Sequence, residues 1–198
     1  PTVVRDFRAL YPQVTLELEY ADRLVDIVGE RFDAAIRIGR LADSRLVATR
    51  LCGHQRIMAA APAYLAQHGS PQVPADLAQH NCLGFTGLLS YPEWQLTQAG
   101  ARHSVVVRGS LVSNDNEALL AAATLGVGIL AGGDWLINPA IASGQLVRVL
   151  PQWQLDADAG IYLVRPSARF STAAMTALRT WVVDWFAARA GNADAAAP

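Results

Sequence analysis

Lysine is missing from this chain, and all 16 of its basic residues are arginine. Charged residues of both signs make up only 17% of the sequence and leave a formal net charge of -1. A chain with so little excess charge is not drawn by bulk electrostatics to nucleic acid or to an anionic membrane. The sequence also lacks the run of about 18 apolar residues that a membrane-spanning helix requires.

Cysteine is scarce, and Cys52 and Cys82 lie too far apart for a C-x-x-C motif. We expect two reduced, partly buried thiols in a cytoplasmic protein. The first residues, 1–8, contain neither the apolar core nor the cleavage site of a signal peptide. They also lack an initiator methionine, so we expect a fragment or a processed form.

Signatures of catalysis and of metal binding are absent as well. The sequence contains no G-x-S-x-G elbow and no Cys/His nucleophile motif, so we expect no enzyme. The four histidines fall in different predicted elements without the spacing of metal ligands, which predicts no metal site and no cofactor. These histidines are His54, His68, His80 and His103.

The N-terminal part has the pattern of a βαβ unit, which indicates an α/β fold. A short helix over 2–10 ends before Tyr11-Pro12, because a residue that precedes proline avoids the α region. The alternation in Val14–Tyr20 then predicts a strand, and the apolar spacing over 22–30 predicts a helix. The apolar stretch Asp33–Gly39 predicts a buried parallel strand.

The later part of the chain alternates between the two kinds of element. Asn114 and Glu117 have the spacing of a capping box at a helix over 117–125, and Gly126 follows that helix as a C-terminal cap. The remaining predicted elements are strands at 56–61, 82–85, 93–98, 103–109, 111–113, 127–131, 146–150 and 160–165 and helices at 63–67, 134–142 and 171–189. A glycine motif that begins at Gly126 follows a helix and precedes a strand, the reverse of a dinucleotide-binding loop, so we expect no nucleotide.

Several segments together resemble the effector domain of LysR-type transcriptional regulators, specifically the CrgA-like branch. Each segment alone is too short to identify a family, but the order and spacing of the whole set match that effector domain over residues 3–188. The segments are Phe7–Leu18, Asp33–Gly39, Ala60–Leu65, Ser113–Leu119, Gly126–Leu130 and Trp135–Leu136.

The resemblance implies a type-2 periplasmic-binding-protein-like fold, in which two α/β lobes are joined by two crossover strands. Residues 1–55 plus 166–198 would form lobe I, and 56–165 lobe II. Members of the family begin this domain with a strand about ten residues upstream, so the first strand of lobe I is expected to be absent from the chain. Their N-terminal winged helix-turn-helix would be absent too.

The resemblance also implies a small effector, such as an organic or aromatic acid, in a cleft between the lobes. Carboxyl ends of strands should line that cleft. The expected effector-binding residues are Ala21, Asp22, Arg37, Ile38, Gly39, Ser113, Asn114, Asp115, Ala131 and Gly132. The turn at Ser113–Asn116 could instead be a plain helix cap, Arg37 a surface ion pair and Asp22 only a cap.

Two functions remain open at this stage. The first is the small-molecule effector-sensing and oligomerisation domain of a LysR-type DNA-binding transcription regulator. Such a domain forms a homodimer or higher homo-oligomer and reaches DNA only through its N-terminal module. The alternative is a solute-binding protein of a transporter with the same fold, which would have a signal peptide and a longer second lobe.

Overall fold

The computed structural model describes residues 2–21, 23, 25–39, 46–88, 90–155, 160–167 and 172–194. The chain divides into two compact units: unit 1 comprises Pro1–Gly53 and Ala159–Pro198, and unit 2 comprises His54–Asp158. The predicted lobe boundaries, after residues 55 and 165, lie later in the chain than the divisions after Gly53 and Asp158. The second one differs because the strand Gly160–Pro166 pairs along its length with two strands of unit 1.

The structure is a mixed α/β fold in which helices and strands alternate along much of the chain. Its elements, in chain order, are α1 (Thr2–Leu10), β1 (Ala35–Gly39), β2 (Leu46–Gly53), β3 (Arg56–Ala60), α2 (Pro62–His68), a 3-10 helix (Pro74–Gln79), β4 (Cys82–Phe85), β5 (Glu93–Gln98), β6 (Ala101–Val106), β7 (Val112–Ser113), α3 (Asn116–Thr124), β8 (Ile129–Gly133), α4 (Asp134–Ala142), β9 (Val147–Val149), β10 (Gln154–Leu155), β11 (Gly160–Pro166) and α5 (Ala173–Asp194). Within the described residues, none of the helices has both the length and the apolar character for crossing a bilayer.

Unit 1 packs α1 and α5 together through aromatic rings. Phe7 is 1% exposed, stacks on Tyr11 at 4.8 Å and meets the Trp181 ring edge-on at 5.3 Å between ring centroids. The indole N–H of Trp185 donates to Asp6 at 3.2 Å. The helix predicted over 171–189 therefore packs its aromatic side chains against α1, which confirms that prediction.

The sheet of unit 1 differs from the predicted βαβ unit. It contains β1, β11 and β2 in that order, and both pairings are antiparallel. The prediction of a buried parallel strand at 33–39 is therefore wrong, since Ile36 is 46% and Ile38 51% exposed on the edge strand β1. Val14–Tyr20 forms no strand, because no strand of this sheet pairs with its backbone.

The helix predicted over 22–30 is also wrong, as residues 25 and 26 have no regular structure and residues 27–30 form a turn. The Asp26 carboxylate accepts hydrogen bonds from the backbone N–H groups of Val28 and Gly29 at 3.2 and 3.1 Å. Such local side-chain bonds compete with the helical ladder. Arg31, at a φ of 62°, then turns the chain toward β1.

Unit 2 is built on an eight-stranded sheet in the order β6-β5-β10-β3-β8-β4-β7, with β9 also paired to β3. The central strands β3 and β8 are antiparallel, whereas β4 runs parallel to both β8 and β7. Trp94, Leu96, Ile129 and Leu130 are at most 1% exposed in its core. Burial of such side chains supplies about 1.5–3 kcal/mol each.

Local sequence signals set several element boundaries of unit 2. Gly126 follows α3 with a φ of 80°, and its N–H donates to the carbonyl of Ala123 at 3.0 Å. Ala99 and Gly100, with φ angles of 47° and 85°, make the two-residue turn between β5 and β6. Both central residues of such a hairpin turn need positive φ angles. The positive φ angle of Gly126 and its hydrogen bond to Ala123 confirm the predicted cap at the end of α3.

Asn81 joins three segments of unit 2 where β4 begins. Its side-chain amide donates to Ser110 Oγ at 2.9 Å and to the Val127 carbonyl at 2.6 Å, and its Oδ1 accepts from the Ser110 N–H at 2.7 Å. Its carbonyl accepts from the Ile129 N–H at 2.8 Å. We call this set of contacts the Asn81 junction. It aligns β4 with β8 and with the segment that leads into β7.

A tyrosine and two histidines lie beside this junction. The Tyr64 hydroxyl accepts from the Asn81 N–H at 2.9 Å and lies 3.2 Å from His80 Nδ1. Its ring stacks on His68 at 4.6 Å between centroids. Burial lowers the pKa of His80, His68 lowers it further, and Asp76 opposes the shift.

We expect stability to depend on pH through His80. Its pKa is lower in the folded than in the unfolded chain, so its contribution is present above the unfolded value of about 6.5 and is lost as pH falls through the folded value. Urea unfolding at a series of pH values between about 5 and 8 should show this decline. His80→Gln should reduce the slope in that window, and an unchanged slope would contradict the assignment.

Candidate functional site

Four neighbouring strands of unit 2 meet at one edge of its sheet. The parallel strands β4, β7 and β8 have their carboxyl ends there, at Phe85, Ser113 and Gly133. Because β3 is antiparallel to β8, it begins at the same edge, with Arg56 opposite Gly133. Ligands of α/β sheets bind beyond the carboxyl ends of parallel strands. This edge, which we call the unit 2 edge, carries five of the predicted site residues.

Three of those five form the turn between β7 and α3. Ser113 Oγ accepts from the Asp115 N–H at 3.0 Å, and Asn114 is exposed. The Asp115 carboxylate accepts from the N–H groups of Glu117 and Ala118 at 2.9 and 3.2 Å. Asp115 therefore caps α3, and the prediction of a capping box that starts at Asn114 is wrong by one position. The cap occupies N–H groups that an anionic ligand would otherwise use.

The other two, Ala131 and Gly132, are buried within β8. A Cβ atom on Gly132 would lie 3.2 Å from Ile137 of α4, so this glycine permits close packing of the helix on the sheet. The Ala131 carbonyl faces the Arg56 guanidinium, with Nη2 at 3.5 Å. Any ligand contact by these two residues would therefore involve their backbone.

Gly133, next in the chain, makes room for two side chains. A Cβ atom there would lie 2.4 Å from Trp135 Nε1 and 2.7 Å from His54 Cε1. Two adjacent glycines, Gly132 and Gly133, could permit unusual backbone angles or a closer ligand approach. Gly133 adopts ordinary angles, φ -62° and ψ 140°, and the groups that approach it are these two side chains.

His54 and Asp134 lie near each other at this edge. The His54 side chain is 4% exposed, and its Nδ1 lies 3.7 Å from Asp134 Oδ1, too far for a hydrogen bond. Burial disfavours the charged Asp134 carboxylate, yet its pKa is lowered because His54 and the Trp135 N–H favour the ionised form. The acidic group is therefore stabilised as a carboxylate by its own surroundings.

Sequence reasoning did not select Arg56 and Phe85 as site residues. The Arg56 guanidinium carbon lies 5.8 Å from the centroid of the Phe85 ring, and both side chains are half-buried. The strand-end rule, applied to Cys82–Phe85, could have selected the phenylalanine. Selecting Arg56 required the antiparallel pairing of β3 with β8, which periodicity does not reveal.

The remaining predicted residues belong to unit 1. Arg37 of β1 is half-buried, and its Nη2 donates to the Val25 carbonyl at 2.7 Å. Ile38 is 51% exposed, and Gly39 ends the strand with a φ of 121°. Ala21 is exposed in a segment without regular structure, and Asp22 lies outside the described residues.

Cys52 is half-buried and Cys82 is buried. Burial raises the pKa of the Cys82 thiol to about 12, which leaves it protonated and unreactive at neutral pH. A groove of about 500 Å³ lies between α3 and α4, lined in part by Leu120, Leu136 and Pro139. It contains none of the predicted site residues.

Comparison with known proteins identifies the family to which this chain belongs. Residues 1–187 match the family model of the LysR substrate binding domain. The transcriptional regulator PtxR of Pseudomonas aeruginosa is 39% identical over 162 residues, which is 81% of this chain and 51% of PtxR. The activator TtdR of Escherichia coli K12 is 31% identical over 185 residues, which is 93% of this chain and 59% of TtdR.

A solved structure leads to the same family. The regulatory domain of CrgA, a LysR-type regulator from Neisseria meningitidis, superposes with a TM-score of 0.82 at 28% identity, covering 93% of this chain and 90% of that one. This similarity confirms the predicted periplasmic-binding-protein-like fold. The chain spans only 51–59% of the length of the two curated regulators above. It belongs to the family of LysR substrate-binding domains, the effector-binding domains of LysR-type transcriptional regulators.

Proposed function

We propose that this chain senses a small organic or aromatic acid on behalf of a LysR-type regulator that binds DNA through a separate N-terminal module. The regulator would act in the cytoplasm as a homodimer or higher oligomer. The observation that carries the proposal is the unit 2 edge, where the ends of β4, β7 and β8 meet beside an arginine. Effector binding would favour one conformation of the regulator and so alter its binding to DNA.

The proposed effector-binding residues are considered one unit at a time. In unit 2, the exposed Asn114 amide can donate and accept hydrogen bonds, and Ser113 presents a hydroxyl beside it. In unit 1, Arg37 supplies a charged donor close to Ile38 at the end of β1. The full proposed set is Ala21, Asp22, Arg37, Ile38, Gly39, Ser113, Asn114, Asp115, Ala131 and Gly132, with the last two contributing backbone atoms.

We propose binding without chemical conversion of the effector. The relatives named above are transcriptional regulators, which favours sensing over both transport and catalysis. The carboxylates at the unit 2 edge also have other roles, since Asp115 caps α3 and Asp134 contacts His54. The Ser113 hydroxyl accepts a hydrogen bond from the backbone N–H of Asp115.

Asn114→Ala should weaken effector binding without unfolding the protein. In a thermal-shift screen of small aromatic and aliphatic acids against the intact regulator, a true ligand at about 100 times its Kd stabilises by about 2.7 kcal/mol. The substitution removes a side chain that is exposed and outside the α3 cap, so the melting temperature without ligand should stay unchanged.

The matched control is Asn138→Ala, the same change at an exposed position of α4. It should leave the ligand-induced shift at its wild-type value. If Asn114→Ala and Asn138→Ala both retain the full shift, Asn114 does not contact the effector.

A further inference from the structure

The Tyr64 hydroxyl connects helix α2 to the backbone at the start of β4. Its oxygen accepts a hydrogen bond from the Asn81 N–H at 2.9 Å and lies 3.2 Å from His80 Nδ1. Tyr64 is 3% exposed, so these contacts are largely shielded from water. The next N–H along the chain, that of Cys82, donates to the Arg108 carbonyl at 2.9 Å instead. The Asn81 N–H thus pairs with a side chain of α2 rather than with a neighbouring strand.

The direction of the hydrogen bond between Tyr64 and His80 follows from this arrangement. Burial raises the pKa of Tyr64, so its hydroxyl keeps its hydrogen at physiological pH. Because the Asn81 N–H already donates to the oxygen, the hydroxyl hydrogen needs an acceptor elsewhere. Among the residues that the structure describes, His80 Nδ1 is the acceptor within reach. A ring nitrogen accepts only when it carries no hydrogen, so this geometry requires a neutral His80 with its hydrogen on Nε2.

Protonation of His80 removes that acceptor. Both ring nitrogens of a charged imidazole are donors, so the Nδ1–H and the Tyr64 O–H would point at each other. If the Tyr64 oxygen accepted from Nδ1 instead, its own hydrogen would be buried without a partner. A buried donor without an acceptor is costly. The observed contact is therefore compatible with one charge state of His80 and not with the other.

The groups around His80 determine when it takes up a proton. Burial of the ring is the largest influence on its pKa and lowers it. At the end of α2, His68 lowers this pKa further, whereas Asp76 of the 3-10 helix opposes the shift. On β4, the buried Cys82 thiol stays protonated and adds no charge. His80 is therefore neutral at neutral pH and becomes charged only in acid.

We propose that Tyr64 and His80 form a pH-sensitive link that opens when His80 takes up a proton and then releases the start of β4 from α2. The response is local, because the other partners of the Asn81 junction do not titrate. Those partners are Ser110 and the backbone groups of Val127 and Ile129. The link is separate from the proposed effector site, since Asn81 and the unit 2 edge lie at opposite ends of β4.

Hydrogen exchange of the intact regulator, measured by mass spectrometry at about pH 7 and about pH 5, tests this link. After correction for the intrinsic rate at each pH, the protection of the Asn81 amide should fall about tenfold on acidification, which corresponds to roughly one hydrogen bond. The amides of the hairpin β5–β6 should keep their protection. In Tyr64→Phe the Asn81 N–H has no partner, so it should exchange rapidly at both pH values.

Tyr91→Phe is the matched control, because it removes a hydroxyl of the same unit that makes no hydrogen bond to the described residues. It should show the same dependence on pH as wild type. His80→Gln has no group that takes up a proton, so its Asn81 amide should be equally protected at both pH values. This variant provides the test if Tyr64→Phe does not fold.

Three results would overturn the proposal. In the first, the wild-type Asn81 amide is as well protected in acid as at neutral pH, so the link stays closed. In the second, the hairpin β5–β6 loses protection to the same extent, so the whole unit opens. In the third, Tyr64→Phe or His80→Gln retains the wild-type loss on acidification, so the hydroxyl and the imidazole do not form the link.

Discussion

Gly109→Ala should destabilise the protein by about 3 kcal/mol, near the upper end of the usual cost of overpacking. A Cβ atom on Gly109 would lie 1.9 Å from the backbone carbonyl oxygen of Cys82, far inside van der Waals contact. The obstacle is backbone, held by the hydrogen bond from the Cys82 N–H to the Arg108 carbonyl at 2.9 Å. No side-chain rotation can relieve the overlap, so the strands themselves must separate.

Gly128→Ala should act in the same way from the other side of the Asn81 junction. Its Cβ atom would lie 2.2 Å from the Asn81 carbonyl oxygen, which accepts the Ile129 N–H at 2.8 Å. The two glycines therefore flank β4 and let both neighbouring segments approach its first residues. Either substitution pushes one of these segments away.

Urea unfolding of the two variants beside Gly53→Ala provides the measurement. Gly53 is a strand residue for which an added Cβ would meet nothing closer than an arginine nitrogen at 4.0 Å. That control should be neutral or slightly stabilising, because alanine restricts the unfolded chain. A loss of about 3 kcal/mol corresponds to a melting temperature lower by roughly 10 °C for a chain of this size. If Gly109→Ala unfolds at the same urea concentration as wild type, the backbone at Gly109 is not packed this closely against the Cys82 carbonyl.

Sequence reasoning succeeded where local signals determine the structure. The helices α3 and α4, the cap at Gly126 and the apolar stripe of α5 all depend on residues within a few positions of one another. The ordered set of motifs was enough to predict the family and its fold, which the comparisons confirm. The error of one residue at the cap of α3 arose because Asn114 and Asp115 are both good capping residues.

It failed where the structure depends on partners distant in the chain. The alternation of apolar and polar residues in Val14–Tyr20 predicts a strand, but a strand also needs a neighbouring strand to pair with. The described sheet of unit 1, β1-β11-β2, does not pair with this segment. The apolar spacing over 22–30 fits a helix, but the Asp26 carboxylate accepts hydrogen bonds from the Val28 and Gly29 N–H groups and holds the chain in a turn. In the candidate site, Arg56 became visible only through its register with Gly133 across β3 and β8.

Asn81→Asp should destabilise the protein by about 2 kcal/mol although it hardly changes the shape of the side chain. The Asn81 amide donates to the Val127 carbonyl at 2.6 Å, and a carboxylate would place a second acceptor against that oxygen. Loss of such a hydrogen bond costs about 0.5–1.5 kcal/mol, and the repulsion between the two acceptors adds to that cost. The remaining bond, from the Ser110 N–H to Oδ1 at 2.7 Å, would survive the change.

Ligand binding separates this structural role from a role in recognition. Asn81 precedes β4, whereas Phe85 ends it, so the junction and the unit 2 edge lie about 13 Å apart along the strand. Asn81→Asp should therefore lower the urea midpoint yet keep the Kd for the effector close to wild type, as measured on folded protein. Asn138→Asp, at an exposed position of α4, should change neither quantity. A large rise in the Kd for Asn81→Asp would mean that the junction controls the alignment of β4 and β7, so that a distortion at one end of β4 displaces Phe85 and Ser113 at the other.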